Sequence, residues 1–225
     1  MTAVIVPAEL ESVDLEFAMN FRDSSFIVEE KMDGRRAILE CGKVASVTGK
    51  RWAGNKLAQL TKADAIRIET HPEIHEFVFD GELMKDGTFW IFDMLSNRGR
   101  VISDFKLSER KAMLATVSEF LPANFKIVRS FNSVAELGAF GEGVVIKDKG
   151  SKYGRGWFKA KRVETIDCVI VRVLESGVAE TERHGKIVGV PDSIKAGDCV
   201  EVESFAVFPS GKLRSGKFVR TRDDK

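Results

Sequence analysis

The sequence predicts an α+β protein of two domains, a larger mixed domain over 1–163 and a small all-β barrel over 164–225. Three observations carry this. Short apolar or alternating runs recur along the first 161 residues, as strands do. One amphipathic helix interrupts them. From Glu164 onward only strand-like runs remain, separated by turn formers. A chain of 225 residues has room for one large or two small domains.

In chain order, a short helix is expected over Glu11–Phe21. Strands are expected over Phe26–Met32, Arg36–Cys41, Val44–Val47, Phe77–Met84, Phe89–Leu95, Phe125–Phe131, Gly143–Lys147 and Trp157–Lys161. Asp33-Gly34 and Asp86-Gly87 sit between such runs and predict tight hairpin turns, because glycine tolerates positive φ. The main helix is expected over Ser108–Phe120, with Ser108 as N-cap and Met113, Leu114, Val117 and Leu121 on one face. Beyond it, Asp167–Leu174, Lys186–Val190, Asp198–Phe208 and Lys217–Arg222 read as barrel strands. About 60 residues with four or five strands suit a small closed barrel such as an OB-fold.

Composition narrows the function. Hydrophobic residues make up 44% and charged residues 31%, which excludes a disordered or fibrous chain. No apolar run approaches the roughly 20 residues of a membrane-spanning helix. The first segment lacks the basic start of a secretory signal. Cys41, Cys168 and Cys199 are widely spaced with no CxxC pair, which argues against a zinc cluster or disulfide scaffold and for a cytoplasmic location. The net charge is only +1, but its distribution is uneven. Residues 1–30 hold seven acids and one base, whereas Lys147–Arg162 hold seven bases and one acid, and Lys212–Lys225 six bases and two acids. The two basic stretches are either a polyanion-binding face or a solvated surface.

Chemistry is concentrated in Glu29-Glu30-Lys31-Met32-Asp33-Gly34-Arg35-Arg36. A lysine is a nucleophile only as the free amine, and neighbouring cations and partial burial favour that form. The arginines that follow Lys31 could provide the cations. A polar hairpin with an exposed lysine fits the same pattern. Four later blocks add to it. Asp80-Gly81-Glu82 ends a hydrophobic strand on an acid. Phe89-Trp90-Ile91-Phe92-Asp93 offers an aromatic face for a base. Glu142-Gly143-Val144-Val145-Ile146-Lys147 opens a strand on a second acid. Lys159-Ala160-Lys161 places two lysines on one face of a strand. Taken singly, these are also ordinary strand-end acids, a core aromatic and a charged edge.

In this order the blocks resemble the nucleotidyltransferase motifs of the ATP-dependent DNA ligases, and Arg222-Asp223-Asp224-Lys225 resembles the family's last motif. The likeness runs from about residue 26 to the end. It implies a nucleotidyltransferase (adenylation) domain of antiparallel sheets with flanking helices, followed by an OB-fold domain. It implies an enzyme of DNA repair or replication that uses ATP and Mg²⁺ to seal nicked double-stranded DNA, acting as a monomer away from membranes. Lys31 would be the adenylylated lysine. Glu29 would meet the adenine amino group, Phe92 would stack on adenine, and Arg36 would contact the nucleotide or the nick phosphate. Glu82 and Glu142 would serve the metal, and Lys159 and Lys161 the α-phosphate. Arg222 and Lys225 would touch the β,γ-phosphates as the barrel closes. With no DNA-binding domain expected before Lys31, the grip on DNA falls to Arg51, Lys50, Lys147, Lys152 and Arg155. The alternatives are an RNA ligase or a capping guanylyltransferase of the same superfamily, and a non-catalytic nucleic-acid-binding module.

Overall fold

The computed structural model describes residues 10–40, 43–46, 76–174 and 177–222. The architecture is α+β, in two compact units, 1–160 and 161–225.

In the first unit, β1 (Glu11–Ser12) leads to helix α1 (Leu15–Asn20). Asp14 caps α1 by accepting from the Phe17 N–H at 2.6 Å. Strands β2 (Phe26–Glu30), β3 (Arg35–Glu40), β4 (Lys43–Ser46), β5 (Val78–Leu83), β6 (Phe89–Asn97) and β7 (Arg100–Val101) follow. Then come α2 (Leu107–Thr116), β8 (Phe125–Ile127), β9 (Ser130–Phe131), α3 (Val134–Leu137), β10 (Gly143–Asp148) and β11 (Trp157–Lys161). They form two sheets, ordered β1-β11-β10-β2-β9 and β4-β3-β5-β6-β7, with β8 added alongside β6. The second sheet and α2 share a core of Leu39, Phe79, Ile91, Met94 and Leu114. Val28, Val144, Ile146 and Ala160 form the core of the first sheet.

The two Asp-Gly pairs behave differently. Asp86-Gly87 does close a hairpin between β5 and β6, with Gly87 at φ +84°. Asp33-Gly34 makes no hairpin. Strand β2 pairs with β10 and β9, β3 pairs with β4 and β5, and the chain crosses from one sheet to the other between them. Glycine is needed at 34 for close approach: a Cβ there would lie 2.5 Å from the Leu83 carbonyl oxygen. The run 125–131 is likewise split. Its first half joins the second sheet through β6 and its second half joins the first sheet through β2.

The main helix starts one residue earlier than expected and ends at Thr116, followed by a 3₁₀ turn over Ser118–Phe120. Ser108 is not its cap. Backbone carbonyls of Ser151 and Lys149 accept the N–H groups of Leu107 and Ser108 at 2.9 and 3.0 Å, so the first turn's orphan donors are already satisfied. The apolar face is as expected, with Leu114 and Val117 buried and Met113 and Leu121 packed against the core.

The second unit is a closed five-stranded barrel, an OB-fold, with strands β12 (Glu164–Leu174), β13 (Val178–Thr181), β14 (Gly185–Val188), β15 (Cys199–Ser204) and β16 (Lys217–Thr221) in the order β12-β13-β14-β16-β15. Strand β13 is not among the runs that read as strands in the sequence. Cys168, Ile170, Ala179, Ile187, Val200 and Val202 fill the interior, placed there by the alternation of β12, β13, β14 and β15.

Candidate active site

Strand β2 ends at Glu30, and Lys31 continues its line by donating its backbone N–H to the Gly143 carbonyl at 2.9 Å. That pairing sets the start of β10 beside it. The Lys31 Nζ donates to Glu142 Oε2 at 2.6 Å, with the two side chains 22% and 7% exposed. The partner at contact distance is a carboxylate, where the sequence pointed to cations. Strand β5 brings Glu82 to the same place, where its Oε1 accepts from the Gly34 N–H at 3.1 Å. Burial pushes the Glu82 carboxyl up to about 7, against the pull of Lys31, the Gly34 N–H and Arg36.

Arg36, on β3, is in register with Glu82 on the paired strand β5 and reaches diagonally to Asp80. Its Nε and Nη2 donate to the two carboxylate oxygens at 3.1 and 2.7 Å. Burial alone would lower the Arg36 pKa, but the Asp80 charge, its hydrogen bonds and Tyr153 together outweigh it and the net shift is upward. The guanidinium carbon lies 5.4 Å from the centre of the Phe92 ring.

Glu29, on β2, is 1% exposed. Its Oε2 accepts from Lys147 Nζ at 2.6 Å, and its Oε1 accepts from Ser130 Oγ at 2.8 Å and from Lys111 of α2. Burial would raise the Glu29 pKa, yet the two lysine charges hold it below the ordinary value. Lys147 is 2% exposed, and its ammonium sits 4.7 Å from the Phe92 ring centre and 4.2 Å from that of Trp157. Lys147 was expected to face DNA; burial against Glu29 and two rings corrects that. Its removal from water lowers its own pKa.

The remaining expected residues are more scattered. Lys159 is half-buried on β11. Lys161 belongs to the second unit, with its ammonium 4.3 Å from the Phe205 ring centre. Arg222, also in the barrel, donates to Asp167 Oδ1 at 2.6 Å. Lys152 and Arg155 are exposed on the connection between β10 and β11, with Lys152 paired to Asp104 at 3.1 Å. Lys50, Arg51 and Lys225 lie outside the described residues.

Sequence reading gave no role to Asp80, Lys111 or Tyr153, whose contacts cross 44 to 117 positions. A further buried pair, Asp93 with Arg110, anchors α2 to β6 and has no exposure on either side chain. One signal was available for Asp80: an acid inside a strand otherwise built for a core needs a cationic partner.

Among the described residues no three His, Cys, Asp or Glu side chains gather as a metal cage. Two carboxylates beside a lysine still fit Mg²⁺, which takes one or two carboxylates and fills its shell with water and substrate phosphate.

No protein-family model matches the chain, and no curated protein does. Solved structures do match. A Lig E DNA ligase structure aligns at 18% identity with TM-score 0.68, covering 97% of this chain and 100% of that one. The chain has the fold of solved DNA ligase structures. A structure named Pmar-Lig_Pre aligns at 20% identity and TM-score 0.63, over 97% of this chain and 68% of that one. The ligase domain of LigD from M. tuberculosis aligns at 17% and 0.55, over 97% and 96%. On this ligase fold Lys31, Glu82, Phe92 and Glu142 come from four different strands or strand ends of the first unit.

Proposed function

We propose that the chain is an ATP-dependent DNA ligase that seals nicks in duplex DNA through a covalent lysyl-AMP intermediate. The observation that carries this reading is the Lys31–Glu142 contact at 2.6 Å, with the Glu82 carboxyl and the Arg36 guanidinium beside it. Lys31 must lose a proton before it can attack, and Glu142 Oε2 already accepts a hydrogen bond from that amine. The amine then forms a bond to the α-phosphorus of ATP while pyrophosphate leaves. AMP passes to the 5′-phosphate of the nick, and the 3′-hydroxyl displaces it to join the strands. Each step is phosphoryl transfer, for which positioning and charge stabilisation supply most of the catalysis.

Glu82 and Glu142 would hold Mg²⁺, which supplies positive charge to the phosphate oxygens. Arg36 presents a guanidinium to nucleotide or nick phosphate, and Phe92 a ring to the adenine. Glu29 can reach an adenine amino group only if Lys111, the more exposed of its two lysine partners, moves off it. Lys152 and Arg155, together with Lys50 and Arg51, would contact DNA phosphates, which position the enzyme without reading sequence. The LigD ligase that was solved with ATP supports the choice of nucleotide.

The test is incubation with labelled ATP or GTP and Mg²⁺, followed by denaturation. Label is expected on the protein from ATP, and none on Lys31→Ala. That variant should still seal a nick supplied already adenylylated. Label from GTP alone would favour the capping reaction, and label retained by Lys31→Ala would remove the nucleophile.

A further inference from the structure

The chain's one tyrosine lies in the basic stretch Lys147–Arg162 and in none of the five chemical blocks, yet it reaches the site. Tyr153 sits on the connection between β10 and β11, the same one that carries Lys152 and Arg155. Its hydroxyl donates to Asp80 Oδ2 at 2.5 Å and accepts from Arg36 Nη2 at 3.3 Å. Asp80 has no exposure, so water cannot replace a lost donor there. The ring is held independently of the hydroxyl: it meets Trp157 edge-on at 5.6 Å, and the Tyr153 N–H donates to the Ser103 carbonyl at 2.9 Å.

A carboxylate offers about four acceptor sites. Arg36 takes one on each Asp80 oxygen and Tyr153 takes another on Oδ2. The hydroxyl thus stands where it can oppose rotation of both the carboxylate and the guanidinium fork, which is the group that lies over Phe92. We propose that Tyr153 is a positioning residue, whose hydroxyl, through Asp80, holds the Arg36 fork in the orientation that meets phosphate. The inference rests on the ligase reading given above. It also gives the exposed basic connection and the nucleotide arginine a common anchor.

The test is a double-mutant cycle on the full chain. Single-turnover rates of labelled adduct formation, and of sealing a pre-adenylylated nick, are measured for Tyr153→Phe, Arg36→Ala and the double variant. Tyr153→Phe keeps the ring and loses the hydroxyl. It should slow whichever step Arg36→Ala impairs by ~10-fold, the worth of a hydrogen bond to a charged group. The double variant should be no slower than Arg36→Ala alone, because the hydroxyl acts only through that arginine. Leu107→Ala, which loosens packing in the cluster that Tyr153 joins, supplies the contrast: its effect should multiply with that of Arg36→Ala. Factors that multiply for Tyr153→Phe as well, or wild-type rates in Tyr153→Phe, would overturn the proposal. So would loss of a cooperative thermal transition in Tyr153→Phe, since the hydroxyl would then be a folding element. If the wild-type protein neither forms an adduct nor seals the nick, the ligase reading fails and takes this inference with it.

Discussion

The two units bury opposite things. The barrel interior is apolar, and its buried polar side chains among the described residues are Thr181 and Ser204 alone. Its ion pairs Arg172–Glu180, Lys217–Glu203 and Arg220–Glu201 lie outside, with the basic members 63 to 65% exposed. The first unit buries Glu29, Asp80, Asp93, Arg110 and Lys147 at 2% exposure or less. Burying charge is costly, and hydrophobic replacements of similar volume are often as stable. What such charges provide is a fixed electrostatic frame in a low-dielectric interior. The barrel spends its interior on stability, whereas the first unit commits part of its interior to holding Arg36, Phe92 and Glu29 in place.

Substitutions can break or sharpen this contrast. At the catalytic edge, Glu142→Ala should slow adduct formation by ~10²–10³, the usual cost of removing an electrostatic stabiliser of a transferring group. Near-normal adduct would make Glu142 a structural partner of Lys31. Deeper in the same unit, Glu29→Gln leaves Lys147 and Lys111 without their carboxylate and should cost about 3–5 kcal/mol in urea unfolding of the full chain.

The same residue sets a pH dependence. Because Glu29 is held below its ordinary value of 4.5 by Lys111 of α2 and Lys147 of β10, its contribution is present above that value and lost as pH falls through the folded-state pKa. Glu29→Gln should flatten that part of the acid unfolding profile; an unchanged acid slope would show that other carboxylates carry it.

In the barrel the expected effects shrink. Ile187→Val should cost about 0.5–1.5 kcal/mol, as a lost methylene in a packed core does. Arg220→Ala should cost no more than about 1 kcal/mol, because the Arg220 side chain is 65% exposed. If Arg220→Ala proved as damaging as Glu29→Gln, the contrast between the units would collapse.

Local chemistry determined much of this protein from its sequence. Alternation set which faces of β12 and β15 point into the barrel. The spacing of Leu114 and Val117 set the buried side of α2. The order of the blocks around Lys31, Glu82, Phe92 and Glu142 carried the ligase fold. The first two signals are short-range, because the period of a strand or helix is written within a few residues.

Tertiary structure alone decided which strands pair. Asp33-Gly34 reads as a hairpin turn, yet β2 and β3 belong to different sheets, and only the approach of Leu83 explains the glycine. Lys147 reads as one more base in a basic stretch, yet it is buried between Glu29, Phe92 and Trp157. The ties of Lys111 to Glu29 and of Tyr153 to Asp80 span 82 and 73 positions. No periodicity records such pairs. They exist because a buried charge must find an opposite charge or a donor, and which one is in reach is settled only when the sheets come together.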